Sequence, residues 1–342
     1  MEQSSSLHQR HKTKSDKNEN EKLTLSSQTP PNEFKLFKLI RLTAVLLWVC
    51  TFTVLVWIIM PLNLIVLDPL CKYFRVRSKN YSLEILSRFW AKSILFLLNI
   101  KIVIEGDQHL EICQEKATVM VYSHSSYLDP VILQAYSPIP SKFIFKRELL
   151  YILPVVFVLA ALVGHIPINR KKKDAAIDSI NDAAEVVSKY NKCVTISPEG
   201  TRSPDGNLQS FKKGAFHLAL KSQSTISPVV FFGNHLLWPP TQLLPNSGTS
   251  YVRFLNPYRI PQDSTVDSLL DQTREVMLKS LESPPKNFQT FPSKPSAKHS
   301  FIFLIIMIPL LYNIFKFLHS YFIDPSLSLV YNNLISQNTT HF

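Results

Sequence analysis

The sequence predicts an α/β fold: a central mixed sheet flanked by helices, with N-terminal membrane helices and a C-terminal hydrophobic segment. Two observations carry this. From Lys101 onward, short apolar runs of strand length alternate with amphipathic stretches of helical period, the pattern of strand–helix–strand units. On either side of that region lie long apolar stretches, 42–67 and 301–323, close to the length a bilayer requires.

Residues 1–34 are polar, rich in Ser, Lys, Asn and Glu, and end in Thr-Pro-Pro-Asn, the composition of a disordered tail. They lack the early apolar core and small-residue cleavage site of a signal peptide. Residues 35–100 are expected to form membrane-associated helices. Leu42–Leu67 carries no charge, but Pro61 and Asn63 interrupt it, and basic residues flank it on both sides. A re-entrant or in-plane helical pair is therefore as compatible as a single span, and orientation is not assigned. Leu83–Leu98 reads as an amphipathic interfacial helix; a core helix packed on the sheet is the alternative.

The domain expected over 101–283 contains strands at Ile102–Glu105, Thr118–Tyr122, Lys142–Phe145, His165–Ile168, Val194–Ile196 and Val229–Phe232, with Tyr251–Phe254 as an edge strand. Helices are expected over Leu149–Val163, over Asp174–Tyr190, where Ala176, Ile180, Ala183 and Val187 share a face, and over Ser264–Leu281 with a Ser264-x-x-Asp267 start. Residues 284–299 are a Pro/Ser/Lys-rich linker, 300–323 a hydrophobic anchor with a snorkelling Lys316, and 324–342 a tail.

The 342 residues are 46% hydrophobic and carry a formal charge of +12, which calls for an anionic partner. Zinc spacings and aromatic-basic interleaving of nucleic-acid type are missing, so no nucleic acid is expected; the apolar stretches favour a membrane surface and phosphorylated substrates. Cysteines 50, 71, 113 and 193 show no paired spacing and fit a reduced compartment, none of them catalytic.

Chemistry gathers at the ends of the apolar runs. Val119–Tyr122 delivers His124 to a turn, and Asp129 follows five residues later, after Ser125 and Ser126. Such a turn folds the carboxylate onto the imidazole, fixing its tautomer so that the other nitrogen acts as general base. After Cys193–Ile196 comes Ser-Pro-Glu-Gly-Thr-Arg-Ser (197–203). There Gly200 permits an unusual backbone angle and Arg202 offers a two-pronged fork to phosphate; a plain Glu199–Arg202 ion pair is the structural alternative. Further blocks are Gly-His-Ile-Pro-Ile-Asn-Arg (164–170), Phe-Lys-Lys-Gly-Ala-Phe-His (211–217) and Ile-Ser-Pro-Val-Val (226–230). His165 and His217 read as packing histidines. No Gly-x-Ser-x-Gly elbow is present, so no serine nucleophile is expected.

With these blocks in this order, the chain over roughly 80–280 resembles the glycerolipid acyltransferase family, most of all the 1-acyl-sn-glycerol-3-phosphate acyltransferases. That family carries His-x4-Asp, Gly-x-x-Phe-Ile-x-Arg, Pro-Glu-Gly-Thr-Arg and Val-Pro-Ile-Val blocks. The resemblance implies transfer of an acyl group from acyl-coenzyme A to lysophosphatidic acid, giving phosphatidic acid. It implies catalytic residues His124 and Asp129, substrate-binding residues Arg170, Glu199, Gly200, Thr201, Arg202 and Lys213, no metal or redox cofactor, and an endoplasmic reticulum membrane in a eukaryote. Ser123, Pro167 and Ser197 depart from the family's usual Asn, Phe and Phe. Another lysophospholipid or glycerol 3-phosphate as acceptor, or a catalytically silent lipid-binding protein, are the alternatives.

Overall fold

The computed structural model describes residues 33–62, 65–66, 81–113, 117–169, 173–190, 192–286, 288–291 and 296–323. The expectations for most of 1–34, for Arg170 and for 324–342 lie outside them.

Helices α1 (Lys35–Leu62) and α2 (Tyr81–Leu97) precede strand β1 (Ile100–Glu105) and a 3-10 segment, Asp107–Cys113. There follow β2 (Thr118–Tyr122), α3 (Leu128–Tyr136), β3 (Ser141–Lys146), α4 (Leu149–Ile152), α5 (Pro154–Leu162), β4 (Ile166–Ile168), α6 (Lys173–Tyr190) and β5 (Cys193–Ile196). The chain continues through α7 (Gly214–Ser222), β6 (Thr225–Phe232), α8 (Asn234–Leu237), β7 (Gly248–Phe254), α9 (Val266–Leu281) and α10 (Lys298–Ile323). The seven strands form one sheet in the order β1-β7-β6-β2-β5-β3-β4. It is a mixed sheet: β6 and β7 pair antiparallel and the other pairs are parallel.

Strand β2 is buried from end to end. Met120 and Tyr122 enter the core beneath α2 and α3, while Val119 and Val121 enter the core beneath α6 and α7. A strand covered on both faces needs an apolar residue at every position, which is why this run lacks polar alternation. Because β2 lies between β5 and β6, parallel to both, the carboxyl ends of the three strands form one neighbourhood, where open α/β sheets build their sites.

Three expectations change. Tyr251–Phe254 is no edge: β7 begins at Gly248 and is flanked by β6 and β1. The edge reading failed because the covering strand, β1, comes from far away in sequence. The helix expected over Leu149–Val163 is two, broken at Leu153 (φ −133, ψ 66), the residue that Pro154 excludes from helical geometry. Helix α9 is capped by Thr265 rather than Ser264, in a reciprocal pair with Ser268.

Helix α2 buries Leu83, Ala91, Ile94, Leu95 and Leu97 against the core and leaves Ile85, Phe89 and Phe96 exposed, combining both readings of its sequence. Helices α1 and α10 are long and apolar enough to cross a membrane. They run side by side in the same direction: Arg41 meets Ser296, and seven residues further along each helix Trp48 meets Phe303, with ring centroids 5.9 Å apart. Beyond this contact most of α10 is exposed, from Ile305 and Ile306 to Phe317 and Leu318, with Leu304, Met307 and Leu311 partly covered.

The base of this pair is fixed by a buried ion pair. Arg41 is wholly buried; its Nη1 and Nη2 donate to Glu33 Oε1 and Oε2 at 2.5 and 2.7 Å, and to the carbonyls of Ser296 and Pro245 at 3.2 and 3.1 Å. Glu33, assigned from sequence to the polar tail, is thus a core residue. A buried guanidinium stripped of its carboxylate is costly, so Glu33→Ala should destabilise the fold by about 3–5 kcal/mol. Replacing both partners with leucine should restore most of that loss, and equilibrium unfolding in detergent measures both.

Candidate active site

His124 lies two residues beyond the end of β2, with its ring edge-on to Tyr122. Its Nδ1 is 2.8 Å from Asp129 Oδ2. The carboxylate folds back because Asp129 sits in the first turn of α3, and its Oδ2 also accepts the main-chain N–H groups of Ser125 and Ser126 at 2.8 and 2.9 Å. Asp129 is fully buried, whereas the His124 side chain keeps 18% of its surface. The acceptor carboxylate fixes the tautomer with the proton on Nδ1, leaving Nε2 free to accept a proton. Ser126 acts as a local cap: its hydroxyl accepts from Leu128 N and donates to the Trp238 carbonyl.

The loop after β5 grips the main chain of His124 from both sides. Glu199 Oε1 accepts the His124 N–H at 2.6 Å, and the His124 carbonyl accepts the Ser203 N–H at 2.7 Å. The other oxygen, Glu199 Oε2, accepts from Gln209 N at 3.0 Å. Both oxygens are thus occupied by main-chain donors and the side chain is buried. Glu199 thus holds the His124 turn to the Gln209 segment instead of pairing with Arg202. Gly200 has φ +74, and a Cβ there would lie 3.0 Å from Lys212 Nζ; the position suits glycine on both counts.

The Arg202 guanidinium lies over the Tyr127 ring, its Cζ 3.7 Å from the centroid, and Tyr127 in turn packs on Trp238 with centroids 5.2 Å apart. Stacking uses the face of the guanidinium and leaves its in-plane N–H groups for an oxyanion. Thr201 is exposed on the same loop. Of the two lysines, Lys212 lies along Gly200, whereas Lys213 is turned away into an exposed ion pair with Asp267 at 2.7 Å. The phosphate-facing role expected of Lys213 fits Lys212 better. Strand β4, which leads toward Arg170, is three strands from β2, about 14 Å across the sheet.

His165 is a packing residue: its Nδ1 accepts from Phe143 N, and burial, reinforced by Lys142, lowers its pKa to about 3. His217 is not, since it stands on the exposed face of α7. Burial pushes the Cys113 and Cys193 thiols up, away from the thiolate a nucleophile needs. Sequence reading missed Tyr127, Ser203, Gln209 and Asn234. The last of these donates to Asp129 Oδ1 at 2.7 Å, and its one sequence signal is the Gly-Asn pair that ends β6.

Residues 101–232 match the family described as Acyltransferase, a span that holds both the His124 turn and the 199–203 loop. The fold and the site are those of an O-acyltransferase. A 1-acyl-sn-glycerol-3-phosphate acyltransferase from Limnanthes alba is 32% identical over 204 residues, covering 60% of this chain and 69% of that protein. The human 1-acyl-sn-glycerol-3-phosphate acyltransferase alpha is 31% identical over 214 residues, covering 61% and 73%. The crystal structure of the 1-acyl-sn-glycerophosphate (LPA) acyltransferase PlsC from Thermotoga maritima shares the fold, with TM-score 0.53 and 21% identity over 72% of this chain and 97% of that one. The chain belongs to the 1-acyl-sn-glycerol-3-phosphate acyltransferase family of glycerolipid acyltransferases.

Burial pushes the Glu199 carboxyl up from its ordinary 4.5 to about 7, against the opposing pull of the Gln209 and His124 N–H groups. Between those values the folded protein holds a proton that the unfolded chain has released, so this group makes stability fall as pH rises through the window. Melting temperatures from pH 4.5 to 8 should show that downward component in the wild type and lack it in Glu199→Gln. Identical pH dependence in the two proteins would contradict the placement of this carboxylate.

Proposed function

We propose that the protein transfers a fatty acyl group from acyl-coenzyme A to the free hydroxyl of lysophosphatidic acid, forming phosphatidic acid. The observation that carries the chemistry is the His124 Nδ1–Asp129 Oδ2 contact of 2.8 Å at the end of a buried strand. His124 Nε2 takes the proton of the acceptor hydroxyl as its oxygen attacks the thioester carbonyl, and Asp129 stabilises the imidazolium that forms. Collapse of the tetrahedral adduct breaks the carbon–sulfur bond, and the imidazolium returns its proton to the departing thiolate. General base catalysis of this kind contributes about 10²–10⁴ in rate. Arg202, braced on Tyr127, binds the acceptor's phosphate, with Lys212 beside it and Arg170 as a further phosphate ligand. No metal or redox cofactor enters this scheme. The names of the relatives support the acceptor, and the acyl-coenzyme A donor rests on the family resemblance.

The site works at a membrane, in a eukaryote the endoplasmic reticulum, with α1 and α10 as anchors. The extensive apolar exposure of α10 past Leu304 supports this, since water offers such a surface no partner. Alkaline carbonate should therefore leave the full chain in the membrane pellet, and its release into the supernatant would contradict hydrophobic anchoring.

A panel of lyso-acceptors with labelled acyl-coenzyme A, run on purified protein, tests the reaction. His124→Ala should abolish transfer without unfolding the protein, and near-normal turnover in that variant would overturn the mechanism. Arg202→Lys keeps the charge but loses the fork, so KM for lysophosphatidic acid should rise about tenfold while KM for acyl-coenzyme A moves little. The opposite pattern would assign this loop to the donor.

A further inference from the structure

Behind the His124–Asp129 pair lies a second tier of buried polar groups that none of the sequence blocks contains. Asp129 Oδ1, the oxygen turned away from the imidazole, accepts from Asn234 Nδ2 at 2.7 Å, and Asn234 Oδ1 accepts from the Ser250 hydroxyl. Asn234 is 1% exposed and Ser250 and Asp129 are fully buried. The direction of this chain is set chemically. An ionised carboxylate only accepts, so the amide must present its nitrogen to Asp129 and its oxygen to Ser250, whose hydroxyl donates.

The fold goes to some length to place Asn234. It follows the end of β6 through Gly233, whose φ is +84 and whose Cβ, if present, would lie 2.6 Å from Thr290 Oγ1. That reversal turns the side chain at 234 back under the neighbouring strand end, where Asp129 lies. Ser250 comes from β7, paired to the other side of β6. Three elements thus form one relay, from the Ser250 hydroxyl through the Asn234 amide to Asp129 Oδ1.

We infer that Asn234, backed by Ser250, is a positioning residue for acyl transfer, locking the Asp129 carboxylate in the rotation that aims Oδ2 at His124 Nδ1. This rests on the proposed role of the pair. Oδ2 already accepts three donors, the imidazole and the Ser125 and Ser126 N–H groups. The amide of Asn234 is the side-chain donor on Oδ1, and without it a buried carboxylate oxygen is left without solvation and the group free to tilt. A residue acting solely through Asp129 touches neither substrate, so its loss should appear in kcat and not in KM.

The test is a double-mutant cycle in the full-length enzyme. Asn234→Leu, nearly isosteric but without a donor, should lower kcat about 10- to 100-fold with both KM values within about twofold. The same substitution added to Asp129→Asn should cost little more, because its route to His124 is already cut. Wild-type kcat in folded Asn234→Leu, or a penalty that multiplies in full on the Asp129→Asn background, would overturn the inference. If Asn234→Leu does not fold, Ser250→Ala decides. It should lower kcat several-fold with unchanged KM and lose that effect on the Asp129→Asn background; an unchanged kcat or a full additive penalty would overturn the inference. Asp129→Asn separates the two levels of argument: if it retains full turnover, the pair's proposed role falls, whereas a normal Asn234→Leu beside a crippled Asp129→Asn removes only the second tier.

Discussion

The site depends on one buried negative charge. Asp129 has no exposed side-chain surface, and a carboxyl group withdrawn from water needs donors to replace its hydration. Here four do: the imidazole, two main-chain amides and a side-chain amide. Two come from the turn itself, Ser125 and Ser126, and need only local folding. The imidazole is local as well, five residues away, whereas the fourth donor needs the sheet to be complete, because Asn234 arrives from the end of β6, over a hundred residues downstream. Assembly of the full donor set around Asp129 is therefore coupled to formation of the sheet.

The Pro-Glu-Gly-Thr-Arg block divides into two jobs within four residues. Glu199 spends both carboxylate oxygens on main-chain donors, His124 N and Gln209 N, and so acts as part of the scaffold. Arg202, three residues on, lies on the opposite side of the Gly200 turn with its guanidinium braced by an aromatic ring and its edges open. Gly200 links the two roles. Its positive φ turns the chain sharply, with Glu199 buried before it and Thr201 exposed after it. Arg202 is held by Tyr127, which lies between His124 and Asp129 in sequence, so the acid–base turn and the cation are parts of one packed unit.

Much of this was legible in the sequence because strand length, apolar runs and motif residues are local signals. Thr118–Tyr122 was read with its observed bounds, and the mixed sheet followed from the alternation of runs and helices. What was not legible is what long-range pairing decides. Nothing near Tyr251 says that β1, some 150 residues earlier, will cover it. Likewise no local pattern shows that Glu33, in a polar segment, will meet Arg41 beneath Pro245. In the site, His124 and Asp129 were readable from their spacing, but Asn234, Tyr127 and Lys212 carry common side chains whose roles come only from where the sheet puts them. Lys212 and Lys213 are indistinguishable by sequence; the start of α7 turns one to the loop and the other to Asp267.

The long apolar helices are tied to the same scaffold by polar contacts, which says where rigidity is needed. Arg41 is bonded to both the α9–α10 connection and the β6–β7 connection, through Ser296 and Pro245, and the Ser300 hydroxyl donates to the Leu97 carbonyl at the end of α2. A purely hydrophobic joint would hold the helices without fixing their angle, whereas a guanidinium with four directed bonds admits one orientation. Helices α1 and α10 leave the domain in the same direction from this joint. Since α2 packs on α1 through Phe89 and on α3 through the core, the apolar helices and the helix that carries Asp129 belong to one continuously packed unit.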